Sequence, residues 1–328
     1  MLRRTPIRSG PAMPALAAAL ATLLVPGIAT AQTFPSKPVR IVVPFPAGGS
    51  FDVTARIVAQ RMQLGQNVII ENRPGGGTVI GTELVARSPG DGHTILSIGP
   101  SFTMHHALRS KVPFDTEKDF KAVAQAMGLT MVVAVNPSLP VKTMKEYIAL
   151  ARARPGEISY GTSGPGGSHN ILGEAIKLAN KVNIVHTPFQ GEMPAVTAAV
   201  GGHVTGVLVN LFSPLQFIKS GRMRALAVSS AERDSLVPDV PTAREAGVPE
   251  FEAINWNGFV VPAATPAAVI ARLNSEINKV LSMPDVRENM RTQGMIATPV
   301  SAEQFAALLK SDGARYTRIA REANVRLD

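Results

Sequence analysis

The sequence predicts an α/β fold of mostly parallel strands joined by crossover helices. Short β-branched runs alternate with helix-period segments after residue 33, and two glycine-rich turns each lie between such a run and a helix. The turns are Pro44-Phe45-Pro46-Ala47-Gly48-Gly49-Ser50-Phe51-Asp52 and Tyr160-Gly161-Thr162-Ser163-Gly164-Pro165-Gly166-Gly167-Ser168-His169. A turn that opens a helix aims unpaired N–H groups and the positive helix end outward, a geometry suited to an anion. Two such turns from separate parts of one chain suggest a clamp.

Residues 1–31 read as a secretory signal. Arg3, Arg4 and Arg8 form a basic start, an apolar Ala/Leu stretch follows over 16–25, and Ala29-Thr30-Ala31 is a small-residue cleavage site. Cleavage after Ala31 lowers the formal charge from +9 to +6 by removing three arginines. No later stretch supplies the ~20 apolar residues of a membrane span. The chain has no cysteine, which excludes disulfides, thiolate metal sites and cysteine nucleophiles and, with export, points to a bacterial periplasm. Lys and Arg are scattered and aromatics make up 5% of the residues, a pattern that gives nucleic-acid binding little support.

The elements follow in order. Residues 39–43 form a strand, and Val53, Ile57, Val58 and Met62 then share a helical face over 53–64. A strand over 67–71, a turn at Arg73-Pro74-Gly75-Gly76-Gly77, a helix over 81–87 and a strand over 94–98 continue the alternation. A fresh α/β unit opens with a strand at 131–135 and a helix over 144–153, where Thr143 and Glu146 form a capping box. Next come a strand leading from 158 into the second glycine turn and a helix near 171–179. Strands at 183–186, 207–209 and 224–228 are separated by helices that end at Gly201-Gly202 and at Gly221. The tail is helical over 266–281, 285–293 and 302–323, with Thr265 read as N-cap of the first and Ser301 with Gln304 as a capping box for the last.

Ligands of open parallel sheets settle outside the carboxyl ends of the strands, where both glycine turns fall. Ser50 or Asp52 either caps the first helix or serves a ligand. The second turn lacks the lysine of a nucleotide P-loop and is not a G-x-S-x-G elbow. Ser163 and His169 suit hydrogen bonding and capping, and they are also the one candidate nucleophile and base. The adjacent His105 and His106, read on an extended segment, point to opposite faces, and no metal-ligand spacing is present. Trp256, the single tryptophan, suits a cleft lining or a packed core equally.

On these residues the chain resembles the Bug receptors, the extracytoplasmic solute-binding proteins of tripartite tricarboxylate transporters. The markers are Val42-Val43-Pro44-Phe45-Pro46-Ala47-Gly48-Gly49 with Asp52, Glu71-Asn72-Arg73-Pro74-Gly75, Val135-Asn136-Pro137-Ser138-Leu139-Pro140, the second glycine turn, Ala225-Leu226-Ala227-Val228 and Pro238-Asp239-Val240-Pro241-Thr242. The resemblance implies a two-lobed type II Venus-flytrap fold with a parallel-rich sheet in each lobe and two crossovers. Lobe one would hold 33–134 and 253–328, and lobe two 135–252. It further implies capture of a small carboxylate by Ala47, Gly48, Gly49, Ser50 and Asp52 from the first turn and by Thr162, Ser163, Gly166, Gly167 and His169 from the second. Gly99, Ser101 and Asn210 would complete the site.

The chain departs from the family pattern at a few positions. Pro188-Phe189-Gln190-Gly191 stands for a usual Pro-Tyr-Lys-Gly, Val209 and Thr205 replace frequent aspartates, and Glu192 stands where glycine is common. The resulting expectation is a monomeric periplasmic receptor, without cofactor or metal and without enzymatic activity, that delivers an organic acid to membrane transporter subunits. The alternatives are a receptor serving a sensor kinase and an exported hydrolase using Ser163 and His169.

Overall fold

The computed structural model describes residues 34–327, with Met1 and Thr5 alone ahead of them. The signal segment and its cleavage site lie outside the described residues.

Strand β1 (Val39–Val43) pairs in parallel with β2 (Val68–Asn72) and with β3 (Thr94–Ile98). Helices α1 (Ser50–Arg61) and α2 (Val79–Ala86) make the two crossovers, and α3 (Ser101–Leu108) leaves β3. A second parallel trio is built from β5 (Ser159–Thr162), β6 (Val185–Pro188) and β7 (Gly206–Asn210), connected by α5 (Ser168–Asn180) and α6 (Glu192–Val200). Helix α4 (Met144–Ala153) precedes this trio, and its Thr143/Glu146 capping box forms as the sequence predicts.

Two long strands join the trios. Strand β4 (Phe120–Val135) pairs antiparallel with β9 (Ile254–Pro262) over its first part, and from Met131 onward with β7 and with β8 (Arg224–Val228). The sheet order is β2-β1-β3-β9-β4-β7-β5-β6. Helix α7 (Leu215–Lys219) lies between β7 and β8. Helices α8 (Ala267–Leu281) and α9 (Pro284–Thr292), strand β10 (Met295–Ala297) and helix α10 (Ala302–Glu322) complete the described chain, with β10 pairing on β4.

Alternation along the strands divides the core. Val39, Ile41 and Val43 of β1 face one apolar cluster with Ala55, Val58, Leu273 and Ile277, while Val42 faces another with Trp256 and Phe305. In the second half Met131, Val133 and Val135 of β4 join α4 and α5 on one face, and Val132 and Ala134 join α6 on the other. Both faces of β4 are thus covered, and for that reason its sequence shows no apolar/polar alternation.

The sequence reading begins β4 only at Met131 and assigns no strand at β9. Two asparagines and two glycines hide them. Gly128 and Gly258 are places of close approach: a Cβ at Gly128 would lie 2.7 Å from Ile254 Cγ2, and one at Gly258 would overlap the Phe305 ring and sit 2.8 Å from the Ala124 carbonyl. Helix α8 starts one residue later than predicted. Pro266 occupies the cap position in extended conformation, so Thr265 sits too early to cap, and its hydroxyl is buried with no hydrogen-bond partner. His105 and His106 lie on α3, a helix, where the sequence reading placed them on an extended segment.

Candidate functional site

Both glycine turns lie at the carboxyl ends of parallel strands, the first after β1 and the second after β5, and they share one backbone design. Gly48 has φ +83° and Gly166 φ +69°, a region open to glycine at little cost. The next residue, Gly49 or Gly167, is extended (φ −74°, ψ 163° and φ −79°, ψ 169°) and caps its helix. Three residues into each helix a side chain reaches back: Asp52 Oδ2 accepts from Gly48 N at 2.8 Å, and Asn170 Oδ1 accepts from Gly166 N at 3.0 Å. Ser50 and Asp52 are therefore not N-caps, because Gly49 holds that position. The following N–H groups, Ser50 and Phe51 in α1 and Ser168 and His169 in α5, have no acceptor within their helices.

Asp52 is 2% exposed and fully engaged. Besides Gly48 it receives Arg56 Nε at 2.9 Å on Oδ2 and Asn72 Nδ2 at 2.9 Å on Oδ1. Burial works to raise its carboxyl, and the donors from Arg56, Gly48 and Asn72 outweigh burial and hold it below the ordinary carboxylate value. Its charge shapes the turn from beneath. Ala47 and Gly49 are exposed, and Ser50 is half-buried at the head of α1. Gly99, buried at the end of β3, admits the Phe51 ring, which would stand 2.7 Å from a Cβ there. Ser101 is half-buried at the head of α3.

In the second turn the Thr162 hydroxyl donates to Gly164 O at 3.0 Å and lies 2.8 Å from His186 Nε2, so it holds the turn from within. Burial lowers His186, Glu174 raises it and Lys177 lowers it, with a net downward shift that favours the neutral ring. Ser163 Oγ is 2.9 Å from His169 Nδ1, and His169 Nε2 is 3.3 Å from Asn210 Oδ1. Asn210, at the end of β7, donates to Glu192 Oε1 at 2.6 Å, and the Ser213 hydroxyl donates to Oε2. Asn255 Nδ2 donates to Asn210 Oδ1 at 2.9 Å, while Asn255 Oδ1 accepts from Ser168 Oγ at 3.2 Å. Gly166 is buried against Leu327 and Leu108, and Gly167 is half-buried with open space at its Cβ position.

Strand β9 borders the second turn and the end of β3. The Asn255 side chain binds Ser168 and Asn210, and the adjacent Trp256 carbonyl lies 3.4 Å from a Cβ built at Gly99. Trp256 itself is core: it is 1% exposed, packs edge-on against Phe305 and donates Nε1–H to Asp312 Oδ2 at 2.5 Å.

Sequence reasoning missed Asn72, Arg56, Asn170, Asn255 and Ser213. A side-chain acceptor four residues after a positive-φ glycine was a usable signal for Asn170. Asn255 and Ser213 come from distant segments and had none. Among the departures from the family pattern, Val209 is fully buried in the core and Thr205 ties Ser159 across to β5, accepting its N–H at 2.9 Å. Glu192 alone among these substitutions joins the polar chain around His169.

The family described as "Tripartite tricarboxylate transporter family receptor" matches residues 54–325. Protein BugT of Bordetella pertussis is 35% identical over 94% of this chain and 96% of its own length. Among solved structures, R. palustris Rpa4515 with adipate has 30% identity and TM-score 0.80, covering 89% of this chain and 98% of that one. MatC (Rpa3494) from Rhodopseudomonas palustris with bound malate has 29% identity and TM-score 0.78, covering 87% and 99%. Together, the match across most of the chain and the shared α/β architecture of periplasmic binding proteins place this protein in the tripartite tricarboxylate transporter receptor family, the Bug solute-binding proteins.

Proposed function

We propose that this protein is an exported receptor that captures a small organic carboxylate between its two glycine turns and hands it to the membrane subunits of a tripartite transporter. The carrying observation is the duplicated turn design: two helix N-termini, each with free N–H groups behind a positive-φ glycine and with no Lys or Arg in either turn. Such a pair recognises a carboxylate by neutral donors and helix dipoles. The adipate- and malate-bound relatives support the ligand class. No chemistry on the ligand is required, and closure of the lobes, 33–134 with 253–328 against 135–252, is driven by better contacts in the closed state. Ala47, Gly48, Gly49, Ser50, Ser101, Ser163, Gly167 and His169 line the captured carboxyl, while Asp52, Gly99, Thr162, Gly166 and Asn210 hold them in place. The working form is the monomer cleaved after Ala31 and released into the periplasm.

A thermal-shift panel of carboxylates against the mature chain, refolded to remove co-purified ligand, tests this reading. A ligand at 100 times its Kd adds ~2.7 kcal/mol. A rise with an acid and none with its amide supports the clamp. A flat panel from folded protein counts against it.

The Ser163–His169 hydrogen bond favours a second reading, an exported hydrolase in which His169 Nδ1 takes the Ser163 proton. Turnover of an ester panel, abolished by Ser163→Ala, supports it. No turnover by folded protein removes it.

A further inference from the structure

The hydrogen bonds around His169 fix where its protons sit, and thereby what Ser163 can offer. Glu192 presents a carboxylate, which only accepts, so the Asn210 amide turns its nitrogen to Glu192 and its Oδ1 away. That Oδ1 already accepts from Asn255. His169 Nε2 faces two acceptors, Asn210 Oδ1 at 3.3 Å and Glu192 Oε1 at 3.8 Å, and therefore carries a proton. In the neutral ring Nδ1 is then the acceptor, and Ser163 donates its only proton to it. The lone pairs left on Ser163 repel a carboxylate.

A second proton on His169 reverses that bond. Nδ1–H donates to Ser163 Oγ, and the Ser163 hydroxyl proton is released towards an anion. We propose that Glu192 is a positioning residue that, through Asn210 and His169, makes carboxylate capture at Ser163 take up one proton. This rests on the receptor reading above.

Several other charged groups on α5 and on the elements packed around it are engaged elsewhere. Arg315 of α10 donates to the Glu250 carbonyl and lies over Tyr316, and the Glu250 carboxylate accepts from Asn180 at the far end of α5. Glu174 and Lys177 pair with each other, and His186 of β6 is bound to Thr162 and Asn170. Among the described residues, Glu192 is the one charged side chain within ion-pair distance of His169. Its negative charge offsets the positive end of α5, which opposes an imidazolium.

Calorimetry of the mature protein with adipate and with malate, between about pH 6.5 and 8.5 in buffers of different ionisation enthalpy, tests the inference above the carboxylate titration range. The expected result is uptake of about one proton at the alkaline end, with affinity falling towards ~10-fold per pH unit. Glu192→Gln should lower affinity several-fold at neutral pH and move the pH-dependent limb to lower pH, by about the loss of one charge near 4 Å. His169→Asn, whose amide nitrogen stands in for Nδ1–H, should bind without proton uptake. Binding by the wild type that is flat with pH and takes up no proton overturns the inference and leaves the receptor reading standing. Failure of both acids and of the whole carboxylate panel at every pH overturns the receptor reading, and the inference with it. The wild-type proton count needs no variant, so a misfolded substitution leaves the test decisive.

Discussion

Asp52 Oδ2 accepts the Gly48 N–H at 2.8 Å from four residues along the chain, and Asn170 accepts the Gly166 N–H across the same interval. The two contacts make the glycine turns copies of one device. In each, a side chain in the first helical turn pins the positive-φ glycine so that the free N–H groups beyond it keep their direction. The first copy uses a charge buried under Arg56 and Asn72, and the second uses a neutral amide.

Asp52→Asn tests how much the charge contributes. The substitution keeps the shape, loses the Arg56 pairing and should destabilise the mature protein by about 1–3 kcal/mol at neutral pH, read from urea midpoints at constant slope. Because the folded-state value is depressed, this stability is present above the unfolded carboxylate value of about 4 and is lost as pH falls below it. Wild type and variant should therefore converge in acid.

Asp312 should behave in the opposite way. Burial raises its carboxyl above the usual value despite the Trp256 N–H and Arg315, so its ionisation opposes folding as pH rises. Asp312→Asn keeps an acceptor for Trp256 and should leave stability unchanged in acid and raise it by up to about 1 kcal/mol at neutral pH. A loss at neutral pH would show that the charge has a partner of greater worth than its burial cost.

Gly48→Ala and Gly166→Ala separate strain from crowding. A Cβ at Gly48 meets open space, so its cost is the left-handed backbone alone, about 1–2 kcal/mol. At Gly166 the Cβ would also lie 2.5 Å from Leu327 Cδ1 and 3.0 Å from Leu108 Cδ1, and the loss of stability should be larger. Leu327 N also donates to the Leu108 carbonyl at 2.8 Å, so the chain end braces this turn. Equal melting temperatures for the two variants would remove that brace from the account.

Ser163→Ala should weaken carboxylate binding by about 1 kcal/mol, close to fivefold, when measured by calorimetry in mildly acid buffer. The variant should also lose its proton uptake. Unchanged affinity would place the carboxyl on backbone N–H groups alone.

Local signals carried much of the fold. The Thr143/Glu146 and Ser301/Gln304 capping boxes, the strands at 94–98 and 224–228 and both glycine turns were legible because each depends on residues within a few positions of one another. Where the sequence misled, either a distant partner or the conformation of a neighbour had overruled the simple pattern. Gly128 and Gly258 look like breaks, yet they let Ile254 and Phe305 approach the middle of a strand. Thr265 looks like a cap, yet the extended Pro266 takes the position.

By itself the sequence determined the α/β class, the places where strands deliver the chain into helices, and the glycine geometry that leaves N–H groups free. Those are i to i+4 matters of sterics and local hydrogen bonding. Only the tertiary structure decided that β4 runs antiparallel to β9 and then on into the second half, that Trp256 belongs to the core, and that Ser163, His169, Asn210, Glu192 and Asn255 form one polar chain. Their partners lie up to 87 residues apart, and donors and acceptors at such separation are matched by burial, which no local pattern encodes.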